Sequence, residues 1–296
     1  MNDYNPNKYW LAIENRCAPN KEIALKIKQL KLGIEGERLF YESFLQDKEI
    51  LYLHNAYYNT YNPLEIDYLI VNNYNVYLFE IKNYTGDYYA KDHAMRTATE
   101  FEIPNPYSQL IKQKNEIKRL LSSKQIHYDL KAYIVYTNPT FTLHGDLPNR
   151  STYLLPTELH KISSFFGPSS EKDFKVYHFL KAQQIDYFSH YQPTRPYKFN
   201  ELQPGLKCIH CGTLDPIIYK SRYRNFTCKF CCKKFDINEA ILSSLKDLYH
   251  ITGKPFTFKQ AQYWCKDILE WKLRHICKRH FDYSGTNLLN FKLKGS

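Results

Sequence analysis

Two Cys-x-x-Cys pairs constrain this chain more tightly than any other feature. Cys208-Ile-His-Cys211 and Cys228-Lys-Phe-Cys231 are separated by 16 residues, and each loop is short enough to wrap as a knuckle around one ion. Two knuckles supply four thiolates, the donor set of a tetrahedral structural zinc site. A disulfide closed across so short a loop is strained, and a redox pair of the thioredoxin kind needs only one such loop. The spacing therefore predicts a zinc ribbon over residues 207–235, with Cys208, Cys211, Cys228 and Cys231 as ligands. Cys232 in place of Cys231, His210 as a ligand, and iron in the same four-thiolate site are the alternatives. Cys17, Cys265 and Cys277 read as small buried apolar residues.

A change in composition marks where this module begins. Residues 193–206 carry three prolines and one glycine and read as a linker. Residues 201–296 hold 17 Lys and Arg against 8 Asp and Glu, whereas residues 1–200 hold 24 against 22. A basic module after a near-neutral body reads as a polyanion binder or as a solubilising surface, and charge alone does not choose. Helices are expected over 238–250, 258–269 and 271–280, with Gly253-Lys-Pro255 breaking the first from the second. Trp264, Trp271, Lys272, Arg274, Lys278 and Arg279 interleave rings with cations, which suits a small helical module, 236–296, that docks on DNA; an ordinary bundle with a basic surface fits as well. The remaining body, 1–192, is the first domain. Its N-terminus is polar, and no stretch reaches the roughly 18 unbroken apolar residues of a spanning helix, so a cytoplasmic protein without membrane partners is expected.

Within that body, residues 22–45 have helical periodicity, with Ile23, Ile27, Leu30, Ile34, Tyr41 and Phe44 on one stripe. The same spacing puts Glu37 on the apolar face, where an unpaired carboxylate costs several kcal/mol, roughly, and calls for a cation, a donor or a metal. Gly33 and Gly36 each weaken a helix by about 1 kcal/mol, so the backbone is expected to bend here or to approach another element closely. Three β-rich runs follow, 50–57, 65–71 and 76–83. If Asn73 and Tyr74 form the turn between the last two, Val71 faces Val76, Leu69 faces Leu78, and Asp67 comes opposite Glu80. Strand alternation then keeps Lys82 on the face of Glu80, so two carboxylates and a lysine converge.

Like charges opposed on a sheet are destabilising, and packing supplies no reason for them. A divalent cation does. Mg²⁺ prefers carboxylate oxygens and retains water, so Asp67 and Glu80 are expected to hold Mg²⁺, with the bound water as nucleophile. Lys82 is placed to orient or help deprotonate that water and to stabilise charge developing on a phosphate.

These residues carry a resemblance. Gly33-Ile-Glu-Gly36-Glu37, Glu65-Ile-Asp67-Tyr-Leu-Ile, Tyr77-Leu-Phe-Glu80-Ile-Lys82-Asn-Tyr-Thr-Gly86 and Asn105-Pro106-Tyr-Ser-Gln109 resemble the nuclease-related domain, NERD, of the PD-(D/E)XK nuclease superfamily, over about residues 30–138. The resemblance implies an acidic helical residue at Glu37, metal ligands at Asp67 and Glu80, the lysine at Lys82 and an accessory site residue at Gln109. It also implies DNA as substrate. The fold class expected is α/β, a restriction-endonuclease-like mixed central sheet flanked by helices, then the zinc ribbon and the helical module. Asn105 as N-cap and Pro106 at the first helical position predict a helix over 106–121, and Lys131–Asn138 a core strand reached by that crossover. Residues 157–192 read as mainly helical, with no candidate site residue. The expectation is a Mg²⁺- or Mn²⁺-dependent deoxyribonuclease whose C-terminal parts bind the nucleic acid. The alternative is a non-catalytic nucleic-acid-binding adaptor that acts with a partner such as a helicase, and RNA cleavage is a third reading.

Overall fold

A computed structural model describes residues 6–18, 20–46, 48–59, 63–91, 94–147, 149–186, 195–215, 224–285 and 290–294. The chain divides into two units, Gln29–Tyr187 and a second made of Met1–Lys28 with Phe188–Ser296. After α1 (Pro6–Ile13), the division falls inside α2 (Lys21–Phe44). No helix among the described residues is long and apolar enough to cross a membrane.

The first unit is a mixed α/β fold. Strands β1 (Leu51–Asn59), β2 (Pro63–Asn72) and β3 (Asn75–Lys82) form an antiparallel meander. Its β2–β3 turn is Asn73 and Tyr74, both left-handed at φ 47° and 59°. That is the two-residue hairpin geometry whose twist matches paired strands, and Asn tolerates it best among residues with a side chain. The register is the expected one, Val71 on Val76 and Leu69 on Leu78.

Three short strands, β4 (Gly86–Lys91), β5 (Ala94–Thr97) and β6 (Glu102–Pro104), precede α3 (Pro106–Ser123). Asn105 caps α3 by accepting from the Tyr107 N–H at 3.0 Å, and Pro106 takes the first position, as its fixed φ favours. Helix α3 then delivers β7 (Asp129–Tyr136) parallel to β3, and β9 (Tyr153–Leu154) extends the sheet parallel to β7. The order is β1-β2-β3-β7-β9. Strand β8 (Phe141–Gly145) instead joins β4, β5 and β6 in a second sheet of order β6-β5-β4-β8. This small sheet is held by side chains such as Ala90, Met95 and Phe141 reaching the main core.

Strand alternation sorts the two faces. Leu69, Val71, Val76 and Leu78 pack with Leu110 and Ile117 of α3 and with Val176 and Leu180 of α4 (Glu171–Ala182). Tyr68, Ile70, Tyr77 and Phe79 pack with Phe40 and Phe44 of α2. Ile34, expected on the buried stripe, is 46 % exposed; the apolar seam of this half of α2 runs through Phe40 and Phe44. The expected close approach occurs at one glycine of the two. A Cβ on Gly36 would lie 2.8 Å from the Asn83 Cβ, while one on Gly33 would meet nothing within 4 Å.

The second unit contains strands β10 (Asn225–Thr227) and β11 (Lys234–Asp236), then α5 (Ile237–Thr252), β12 (Phe256–Thr257), α6 (Phe258–Trp264), α7 (Glu270–His280), β13 (Phe281–Ser284) and β14 (Asn290–Leu293). Strands β12, β14 and β13 make a small sheet that the basic tail did not advertise. The helix expected over 258–269 ends at Trp264. Two expected boundaries change here. Residues 1–28 group with this unit rather than with the body, because Tyr9, Ala12 and Ile13 join Ile241, Leu245, Leu248, Trp264 and Phe291 in one core. The described part of the expected linker is also packed: Leu202 and Leu206 are buried in that core, and the Gly205 N–H donates to the Trp264 carbonyl at 2.8 Å. Proline content signalled irregular backbone, not freedom.

A buried ionic network ties the unit's N-terminal segment down. The Arg16 guanidinium, fully buried, lies 4.3 Å from the Trp264 ring centroid, donates to the carbonyls of Gln203 and Gly205 at 3.0 Å, and reaches Asp247 at 3.4 Å. Lys207 pairs with the same Asp247 at 3.1 Å and donates to the carbonyls of Leu11 and Ala12, at the end of α1. Burial lowers the Lys207 pKa from its ordinary value, and Asp247 opposes that shift.

Candidate active site and metal centre

Glu80 is 1 % exposed near the end of β3, and both its oxygens are engaged. Lys82 Nζ lies 2.5 Å from Oε1, and the Gln113 side-chain amide donates to Oε2 at 2.6 Å. Asp67 is on the strand alongside, on the same face by alternation. The expected opposition of Asp67 and Glu80 is modified in one respect. Paired backbone runs only to Tyr68 on Phe79, and the Ile81 N–H donates instead to Asp67 Oδ2 at 2.6 Å. The β1–β2 ladder lapses at the same point. Pairs run to His54 on Tyr68 and resume at Ala56 on Ile66, and the residue skipped, Asn55, is left-handed at φ 49°. Both ladders of β2 thus lapse at Asp67.

The electrostatics follow from that crowding. Desolvation and the Glu80 carboxylate raise the Asp67 pKa well above the usual carboxylate range, against the pull of Lys82 and the Ile81 N–H. Burial works against the Lys82 ammonium, but Glu80 and Asp67 outweigh it and raise its pKa above the ordinary lysine value. Lys82 is therefore a fixed positive charge between two carboxylates.

Glu37 stands differently from its expected place. Helix α2 packs on the Tyr68 and Phe79 face, opposite to α3, and Glu37 Oε2 pairs with His54 Nε2 at 2.7 Å. The His54 ring stacks on Tyr68 at 4.6 Å between centroids, and the Tyr68 hydroxyl donates to the Glu37 carbonyl at 3.1 Å. The Glu37 carboxylate, expected on the apolar face, is thus partly exposed and paired with an imidazole. Its charge still bears on Asp67 and adds to the upward shift there. On β1 and β2, the Tyr57 hydroxyl donates to Glu65 Oε1 at 2.5 Å.

Gln109 lies exposed in the first turn of α3 and makes no hydrogen bond to Asp67, Glu80 or Lys82. The glutamine that reaches the site is Gln113, one turn later on the same stripe. It is fully buried, its amide N–H groups serve Glu80 and the Glu65 carbonyl at 2.9 Å, and its Oε1 has no hydrogen-bond partner among the described residues. A sequence signal existed for it. Gln113 interrupts the apolar run Leu110, Ile117, Leu120, Leu121, the same anomaly that singled out Glu37.

Residues 32–137 match the family described as Nuclease-related domain, NERD. This segment is a NERD domain. No curated protein and no solved structure matches the chain. The NERD segment runs from α2 through β7 and so contains every residue of the site just described, and it suggests a nuclease-related function.

The NERD site's donors fit a hard divalent cation. Among the described residues, the only groups of three or more His, Cys, Asp or Glu donors within metal-holding reach are the four cysteines, so the NERD site does not form an all-protein cage. Two carboxylates suit Mg²⁺ or Mn²⁺, which keep several waters and complete their shell with substrate phosphates. A cation there would also turn the repulsion that raises the Asp67 pKa into attraction.

The cysteine centre fits zinc closely. Cys208 Sγ is 3.8 Å from Cys231 Sγ, and Cys211 Sγ is 3.7 Å from Cys228 Sγ. A tetrahedron with Zn–S bonds of about 2.3 Å has edges of about 3.8 Å. The N–H groups of His210 and Phe230 each donate to the first thiol of their loop at 3.4 Å, so the two knuckles repeat one geometry. That repeat decides between Cys231 and Cys232. Gly212, φ 71°, follows the first knuckle in a left-handed turn, and Cys232, φ 58°, takes the same place after the second. His210 is outside the ligand set; its Nε2 lies 2.9 Å from the Lys234 carbonyl.

Proposed function

We propose that this chain is a metal-dependent deoxyribonuclease, with Asp67 and Glu80 holding Mg²⁺ or Mn²⁺. The observation that carries the reading is the convergence of Asp67, Glu80 and Lys82 at the end of a NERD sheet, where the packing has no use for paired acids. When bound, the cation supplies an activated water and neutralises charge on the scissile phosphate. The protein's own residues supply the rest. Gln113 fixes the Glu80 carboxylate from one side and Lys82 from the other. Lys82, held against Glu80, is placed to orient or help deprotonate the water and to stabilise phosphate charge. Glu37 and His54 form a polar pair whose charge reaches Asp67, and Gln109, exposed one turn before Gln113, is available to the substrate. The zinc ribbon and the basic helices behind it hold the nucleic acid.

The test is cleavage of supercoiled, linear duplex and single-stranded DNA, and of RNA, with Mg²⁺ or Mn²⁺, by the wild type beside Asp67→Ala and Lys82→Ala. Metal-dependent cleavage of DNA that both variants lose is expected. Equal activity in all three proteins would sink the proposal. Metal-independent binding without turnover would replace it with an adaptor that serves a DNA-processing partner such as a helicase.

A further inference from the structure

The outer surface of the two zinc knuckles has a composition that neither the metal nor the fold requires. Phe230, at the tip of the second knuckle, is 58 % exposed, and Ile209, at the tip of the first, is 37 % exposed. Covering either side chain with a partner would remove apolar surface from water and favour association. The second knuckle carries basic charge only, whereas the Glu14 carboxylate lies beside Gly212 at the end of the first. Lys229, Lys233 and Lys234 are exposed and make no ion pair among the described residues, and Lys229 Nζ lies 5.2 Å from the Phe230 ring centroid. The ribbon's two described carboxylates are both engaged elsewhere, Asp236 with Arg224 at 2.6 Å and Asp215 with Lys266 at 3.1 Å. The surface is rigid where it matters. Each knuckle is closed by its thiol hydrogen bonds, and His210, which holds the place equivalent to Phe230, is tied to the second knuckle's strand through the Lys234 carbonyl. Phe230 is thus an exposed aromatic ring on a stiff base, with Lys229 beside it and Lys233 and Lys234 exposed on the same knuckle.

We propose that this knuckle surface binds single-stranded nucleic acid, with a base stacked on Phe230 and the flanking phosphates met by Lys229, Lys233 and Lys234. A flat ring beside lysines offers nothing for the hydrogen-bond code of a duplex groove, and the bases of a duplex have their faces covered by neighbours. In a single strand the faces are open and every base can stack, so binding is tolerant of sequence and dependent on salt. This deepens the nucleic-acid reading given above and rests on it. A nuclease with such a surface engages unpaired segments, such as an end, a gap or a displaced strand.

The experiment is fluorescence anisotropy of the zinc-loaded full chain with a labelled oligothymidylate and with a labelled hairpin duplex. No Mg²⁺, Mn²⁺ or chelator is added, and zinc content is measured for every variant so that a misfolded ribbon is recognised. Phe230→Ala is expected to weaken oligothymidylate binding by about 5- to 100-fold and to leave duplex binding unchanged, while Phe230→Trp restores it. Changing Lys229, Lys233 and Lys234 together to glutamine is expected to lower the slope of log affinity against log salt by about two. Zinc-replete Phe230→Ala that binds the single strand as wild type does, or that loses single strand and duplex alike, overturns the proposal. Cleavage by the wild type with no effect of Phe230 removes the knuckle surface and leaves the nuclease reading; binding through Phe230 without cleavage does the reverse.

Discussion

Replacing Gln113 by leucine separates the orientation of the site from the stability of the fold. The two side chains are close in volume, so the substitution leaves neither a large cavity nor a clash. It removes a hydrogen bond to the buried Glu80 carboxylate, about 1.5–3 kcal/mol for a charged acceptor, and one to the Glu65 carbonyl, about 1 kcal/mol. It also removes the buried, unpartnered Oε1, whose desolvation costs about 1–3 kcal/mol. These contributions largely offset, and the expected net loss is about 1–2 kcal/mol, a shift of several degrees in unfolding temperature. The effect on the site is larger. Glu80 keeps Lys82 alone as a fixed partner, and loss of a group that orients a metal ligand typically costs about 10- to 100-fold in metal affinity or activity. The assay is calorimetric titration of Mn²⁺ into wild type and Gln113→Leu, beside DNA cleavage over a range of Mn²⁺ concentrations and a thermal melt. Weaker Mn²⁺ binding in a folded protein is expected. A variant that binds Mn²⁺ and cleaves as the wild type does would refute the role given to Gln113, and so would a stability loss beyond about 4 kcal/mol, which would make Gln113 a core residue instead.

Asp67→Asn should be more stable than the wild type at neutral pH. Its folded pKa is raised, so the folded state holds the proton more tightly than the unfolded chain, and wild-type stability declines as pH rises above the unfolded carboxyl value. The advantage of the variant should close as pH falls towards about 4, and Mg²⁺ should raise the melting temperature of the wild type more than that of the variant; a melt series over pH checks both. Cys231→Ser should lose zinc while Cys232→Ser retains it, since Cys232 occupies the turn position that Gly212 fills in the first knuckle; metal analysis of the purified proteins decides. Asp247→Ala strands the buried Arg16 and Lys207 charges and should destabilise the second unit by about 3–5 kcal/mol, read by urea unfolding followed through tryptophan fluorescence.

Much of the site was legible before any coordinates. The Asn73-Tyr74 turn set a register that the structure keeps through Tyr68 on Phe79, and alternation put Glu80 and Lys82 on one face. Gly36 signalled a close approach, which is the contact of α2 with Asn83. The glutamine was harder to choose. Gln109 and Gln113 share a helical stripe, and the depth at which α3 lies on the sheet selects the second. Glu37 was recognised as a carboxylate in need of a partner, but His54, 17 residues away and on another element, could not be paired with it from spacing. The left-handed Asn55 is likewise invisible within a run that otherwise reads as a regular strand.

By itself the sequence determined whatever depends on repeat distance along one element: the knuckle spacing, the cap of α3, the hairpin register and the faces of β2 and β3. Those follow from backbone geometry, which repeats every two residues in a strand and every 3.6 in a helix whatever surrounds it. Only the tertiary structure decided that residues 1–28 complete the zinc-bearing unit, that the proline-rich segment packs into its core, and that Gln113 rather than Gln109 meets Glu80. Such contacts join residues tens to hundreds of positions apart, and they form because apolar surfaces and buried charges find partners on packing, a choice that leaves no periodic trace in the chain.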